Sequence, residues 1–100
     1  MRRVMVRYRV KPDRADENES LVRAVYRELH EKEPEGLRYM TLRLEDGVSF
    51  IHISESEGHE NPLTKVAAFQ EFQHEIADRC DEQPVVTEVT EIGSYRFGAD

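Results

Sequence analysis

The sequence predicts an α+β domain of order βαβ–βαβ, a split unit that makes a four-stranded antiparallel sheet with both helices on one face. Three observations predict it. Two stretches each read as a β-rich run, a helix with one apolar stripe and a second β-rich run. They join at Leu44-Glu45-Asp46-Gly47-Val48-Ser49, where Asp-Gly between strand-like segments signals a tight hairpin. The whole fits in 100 residues, the size of one domain with one modest core, so residues 1–100 are expected to form a single unit.

In the first strand Val4, Val6, Tyr8 and Val10 alternate with Met5, Arg7, Arg9 and Lys11, which gives one dry face. Pro12 closes it. Asp16, three residues ahead of Glu19, offers a capping box, and Leu21, Val22, Val25 and Leu29 then form a helical stripe with Tyr26 at its border. Pro34 and Gly36 end this helix.

The second and third strands are expected over about 37–44 and 48–54. A two-residue Asp46-Gly47 loop sets Glu45 opposite Val48, Arg43 opposite Phe50, Leu42 opposite Ile51, Thr41 opposite His52 and Met40 opposite Ile53. Met40, Leu42, Ile51 and Ile53 then share one face, the expected seat of the helices. Tyr39, Thr41, Arg43, Phe50 and His52 share the other, and Arg7 and Arg9 join them if the valines of the first strand meet the helices.

Asn61-Pro62 reads as an N-cap with proline at the first helical position. Val66, Phe69, Phe72, Gln73, Ile76 and Cys80 define the inward arc of one helix after it. Pro84 precedes a last strand over about 85–92, and a tail with Tyr95 and Phe97 comes after it.

Fourteen Lys and Arg against 21 Asp and Glu give a net charge of −7, which argues against a nucleic-acid or anionic-membrane partner. The start lacks a signal-peptide pattern, and no apolar run reaches membrane-spanning length, so a cytoplasmic protein is expected. The lone cysteine, Cys80, excludes an intrachain disulfide and is expected in the core. The four histidines form no metal-binding motif with one another, so no metal and no bound cofactor is expected.

The order of elements, the length, the helix-two segment Phe69-Gln70-Glu71-Phe72-Gln73-His74 and the ending from Pro84 to Phe97 resemble the dimeric α/β-barrel proteins, especially the antibiotic-biosynthesis-monooxygenase-like branch. The resemblance implies a ferredoxin-like fold whose open sheet faces pair in a homodimer, with a ligand cavity in each subunit. It also implies oxidation of phenols, quinols or polyketide-like aromatics without metal or flavin, or, in other branches, haem degradation. The chain departs from the oxygenase pattern in having no Trp; only His74 lies near the place of the helix-two histidine.

From the residues themselves, His52 at the centre of the supposed open face is the candidate base for a phenolic proton, with Arg7 or Arg43 to hold the resulting anion. Tyr39, Phe50 and Tyr95 are candidates to line a cavity or an interface. His59 in the polar loop could close over a ligand, and His74 flanks the second helix. The function expected is a small-ligand-binding or accessory domain. A cofactor-independent monooxygenase is the alternative, and a haem-binding or haem-degrading protein a distant third.

Overall fold

The computed structural model describes residues 2–58 and 60–97. Strand β1 runs Arg2–Val10, α1 Ala15–Lys32, β2 Leu37–Arg43, β3 Ser49–Ser56, α2 Ala67–Gln73, α3 Ile76–Arg79 and β4 Cys80–Glu88. The strands form one antiparallel sheet in the order β2-β3-β1-β4, and the helices cover one face. This is the expected ferredoxin-like α+β arrangement.

The hairpin keeps the expected register, with Arg43 opposite Phe50, Leu42 opposite Ile51, Thr41 opposite His52 and Met40 opposite Ile53. Its loop is longer than two residues. The Gly47 N–H closes a turn onto the Leu44 carbonyl, and the Asp46 carboxylate accepts from the Val48 and Ser49 amides and from the Ser49 hydroxyl. Gly47 sits at φ +78°, where a side chain is disfavoured.

The first strand turns its dry face to the helices as expected, but the face assignment of the hairpin is the reverse of the expected one. Tyr8 lies opposite Phe50 and Val6 opposite His52, whereas Arg7 lies opposite Ile51. The first strand's dry face therefore shares its side of the sheet with Phe50, His52, Thr41 and Tyr39, and this is the side under the helices. Tyr8, Val10, Phe50 and His52 are all buried there. Met40, Leu42, Ile51, Ile53, Met5 and Arg7 occupy the uncovered face. The rings of the covered face bring more area into the core than branched aliphatic chains would, and their polar ends find partners within the layer.

Helix α1 buries Ala15, Asn18, Val22 and Val25. Its N-cap is Arg14, without a side-chain bond, and the expected capping residue Asp16 lies inside the first turn. The helix ends at Glu33, left-handed at φ 45°, whose N–H reaches the Leu29 carbonyl at 2.8 Å.

The expected single second helix is three pieces. Asn61 does cap, accepting from the Leu63 amide, but the element it caps is one 3-10 turn, Pro62–Lys65. Two amides at the start of α2, Ala67 and Ala68, donate to the Glu28 carboxylate of α1. After Gln73 the chain breaks at Glu75, φ 61°. Buried Arg79 reaches back to donate to the carbonyls of Phe72 and His74, which the break leaves without helical partners. Cys80 consequently starts β4 opposite Val10 and does not end a helix, though it is buried as expected. Pro84 lies within β4, tolerated because this is an edge strand with a register shift opposite Tyr8.

Candidate functional site

A continuous polar chain runs through the aromatic layer between sheet and helices. Arg79 Nε donates to Asn18 Oδ1 at 3.2 Å, and Asn18 Nδ2 to the Tyr8 hydroxyl at 2.9 Å. The Tyr8 hydroxyl meets His52 Nε2 at 2.7 Å. On the other side of the ring, His52 Nδ1 meets the Tyr39 hydroxyl at 2.5 Å and Thr41 Oγ1 at 3.3 Å, and Thr41 Oγ1 meets the Tyr26 hydroxyl at 2.8 Å. Asn18 is 0% and Arg79 1% exposed. Among the described residues every buried side-chain N or O atom has a hydrogen-bond partner.

Rings pack around this chain. The Phe72 and His52 ring centres lie 5.2 Å apart, Phe50 stacks on Tyr8 at 5.6 Å and Tyr26 stacks on Tyr39 at 5.3 Å. The Arg79 guanidinium sits over Phe72, 5.5 Å from its centroid. In this low-dielectric layer the charged form of each group is penalised. Burial pushes the His52 imidazole down to about 4, so it is neutral at neutral pH. Burial raises the Tyr8 and Tyr39 hydroxyls far above the usual phenol range, with the Asn18 bond to Tyr8 and the Thr41 bond to Tyr39 opposing it only in part. Tyr26 is raised for the same reason, against its bond to Thr41.

The chain reaches a surface cleft at one end. Tyr26 and Tyr39, with Leu29, His30, Glu33, Pro34 and Leu37, line a depression of about 260 Å³ between the C-terminal end of α1 and the start of β2. Among the described residues no group of three or more His, Cys, Asp or Glu side chains could hold a metal ion.

This aromatic layer sits within a fold that is already known. The chain superposes on a Nitrosomonas europaea protein provisionally named an antibiotic biosynthesis monooxygenase with a TM-score of 0.73 at 16% identity, over 93% of this chain and 100% of that one. The chain has that protein's fold. Rv0793 of Mycobacterium tuberculosis matches with a TM-score of 0.71 at 14% identity, over 93% and 96% of the two chains. NE2512, a Nitrosomonas europaea protein of unknown function, matches at 0.68 and 11%, over 94% and 91%. No protein-family model matches the chain, and no curated protein matches it by sequence. The fold expected from the resemblance is the one found.

The structure brings together His52, Tyr39 and Phe50 among the expected site residues, but beneath the helices and not on the open face. Both ring nitrogens of His52 already meet hydroxyls. Arg7 is on the opposite side of the sheet and exposed, so it cannot hold an anion beside His52. Arg43 shares the covered side but lies at its rim, bonded to Asp16, Glu19 and the Gly47 carbonyl. His74 caps the end of α2 with its side chain in solvent, and Tyr95 is exposed in the tail. His59 lies outside the described residues.

Asn18 and Arg79 were the missed members. A signal for both existed: Asn18 extends the stripe of Val22 and Val25 by one turn, and Arg79 comes after Phe69, Phe72 and Ile76 at helical spacing. Two polar residues on inward helical stripes require polar partners on the sheet face below them.

Proposed function

We propose that the chain is a homodimeric small-ligand-binding protein whose ligand lies in the cleft against Tyr26 and Tyr39. The observation that carries this reading is the joining of that cleft to a buried polar chain in which every buried N and O atom has a partner. Buried polar groups cost stability unless every member is satisfied, and such a chain specifies geometry more than it adds stability. The dimer reading rests on the uncovered sheet face, where Leu42 is 45% and Val85 63% exposed beside Met5, Met40, Ile51 and Ile53, and on the exposed tail residues Ile92, Tyr95 and Phe97. So much apolar surface on one face of a small domain calls for a cover.

Calorimetric titration with a panel of one- and two-ring aromatics tests the binding. A ligand that binds the wild type and binds Tyr39→Phe at least severalfold more weakly supports the reading; a panel without a binder removes it. Sedimentation at low micromolar concentration should report two chains.

A cofactor-independent monooxygenase is the second reading, favoured by a neutral His52 with hydroxyls on both ring nitrogens, which can pass a proton, and by the name carried by the Nitrosomonas europaea neighbour. Oxygen consumption with hydroquinones, compared between wild type and folded His52→Ala, tests it. Equal rates reject His52 as a base.

A further inference from the structure

The polar chain beneath the helices has a direction, and Arg79 starts it. A guanidinium carries donors only, so the Asn18 atom facing Arg79 Nε is the amide oxygen. The amide nitrogen is thereby turned toward Tyr8 and donates to its hydroxyl. Tyr8 accepts from Asn18 and has His52 Nε2 as its other partner, so it places its own proton on that nitrogen. The opposite arrangement would leave the buried Tyr8 proton without an acceptor.

A neutral imidazole has one N–H and one lone pair. With Nε2 accepting, the proton of His52 sits on Nδ1 and is donated to the Tyr39 hydroxyl. Beyond the ring stand three hydroxyls, Tyr39, Thr41 and Tyr26; Thr41 Oγ1 also lies 3.3 Å from Nδ1 and is bonded to the Tyr26 hydroxyl at 2.8 Å. The Thr41–Tyr26 bond uses one of their three protons. Because His52 gives a proton to this group and takes none, the remaining hydroxyl protons have no acceptor within it, and two of the three hydroxyls belong to side chains that line the cleft.

We propose that Arg79, Asn18, Tyr8 and His52 form a one-way donor relay that makes the Tyr26/Tyr39 cleft a hydrogen-bond donor, so that its ligand presents an acceptor oxygen: a ketone, a quinone or a phenolate. The ligand class rests on the reading of this cleft as the binding site; the relay does not. Asn18 and Arg79 are positioning residues, acting on the cleft through the tautomer of His52. A donor at the cleft is also the reverse of what a base would offer there, so the relay favours binding over proton removal by His52.

The test is the protonation of the His52 ring in the uniformly ¹⁵N-labelled full chain, read from long-range ¹H–¹⁵N correlations. Nδ1 should be the protonated nitrogen, the minor tautomer of free histidine. Asn18→Asp replaces the donor facing Tyr8 by an acceptor, so Tyr8 should turn to it and the proton should move to Nε2, exchanging the two signals. A merely structural Asn18 would leave the tautomer unchanged. Nε2–H in the wild type overturns the relay without any variant, and so does an unchanged tautomer in folded Asn18→Asp.

Two probes then test the ligand class. Acetophenone, an acceptor only, should bind more tightly than indole, a donor only, and should lose about tenfold in affinity in Asn18→Asp. Tighter binding of indole overturns the acceptor assignment and leaves the cleft a binding site. Binding of neither probe overturns the cleft reading and the ligand class together, while the tautomer still decides the relay.

Discussion

The two faces of this sheet are built from different chemistry. The covered face carries Tyr8, Phe50, His52, Tyr39 and Thr41, rings and hydroxyls locked to one another and to Asn18. The uncovered face carries Met5, Met40, Leu42, Ile51 and Ile53, which have no polar side-chain atoms to satisfy, flanked by Arg3 and Arg9 in ion pairs with Glu55 and Glu82. Ordinary hydropathy would put the aliphatic face inside. The reversal shows that a face with more polar atoms can be the buried one when each atom has a partner, and that the greasier face is then left for another surface to cover.

Truncating one large side chain on each face tests this contrast most severely. Phe50→Ala should cost about 3–5 kcal/mol in urea unfolding, the range for removing a buried ring, whereas Leu42→Ala should cost about 1 kcal/mol or less within one chain. Equal costs would mean that the faces are not distinct.

Acid should attack the covered face first. His52 is held at about 4 in the folded protein against 6.5 when unfolded. The unfolded state therefore binds more protons between these values, and stability is full above pH 6.5 and falls as pH drops toward 4. Between pH 7 and 5 this amounts to roughly 2 kcal/mol. The carboxylates of Glu28 and Asp46, held down by their hydrogen bonds, start from unfolded values of 4.5 and 3.8 and lose stability only in a lower window. Urea unfolding of wild type and His52→Phe at several pH values checks this: the slope between pH 5 and 6.5 should shrink in the variant.

Leu42→Glu probes the other face. It should weaken self-association by about 1–2 kcal/mol, seen by sedimentation as single chains at concentrations where the wild type is paired, with little change in the unfolding of each chain. The smallest effect concerns how the helices are fastened over the covered face. Glu28→Ala removes the carboxylate that caps the first amides of α2 and should lower the urea unfolding midpoint by the least of these substitutions.

Strand number, strand order and the hairpin register were legible from local features, while the last strand, expected over about 85–92, runs Cys80–Glu88 with Pro84 inside it. Asp46-Gly47 set the hairpin register, the alternation from Val4 to Val10 set the dry side of β1, and Pro34 and Gly36 marked the end of α1. The break at Glu75 was not legible, because the residues from Phe69 to Cys80 keep a helical period through it. Arg79 stabilises the break through bonds that no local window contains. It meets the Phe72 and His74 carbonyls once the chain has turned back, with Asn18 of α1 accepting from its Nε.

Which residues of the β2–β3 hairpin share a face needed nothing beyond the order of amino acids, since period two in the strands and a one-to-one register leave no freedom there; which side of β1 joins them did need more, since Val6 and Tyr8 lie with His52 and Phe50 and not with Ile51 and Ile53 as expected. Which of the two faces lies under the helices was settled only by packing in three dimensions. Periodicity is blind to that choice. It depends on whether Tyr8, His52, Tyr39 and Thr41 can satisfy one another and Asn18 in a dry layer, a matter of distances between five side chains from four separate elements. Free energy favours burying these rings because none of their polar atoms is left unpaired.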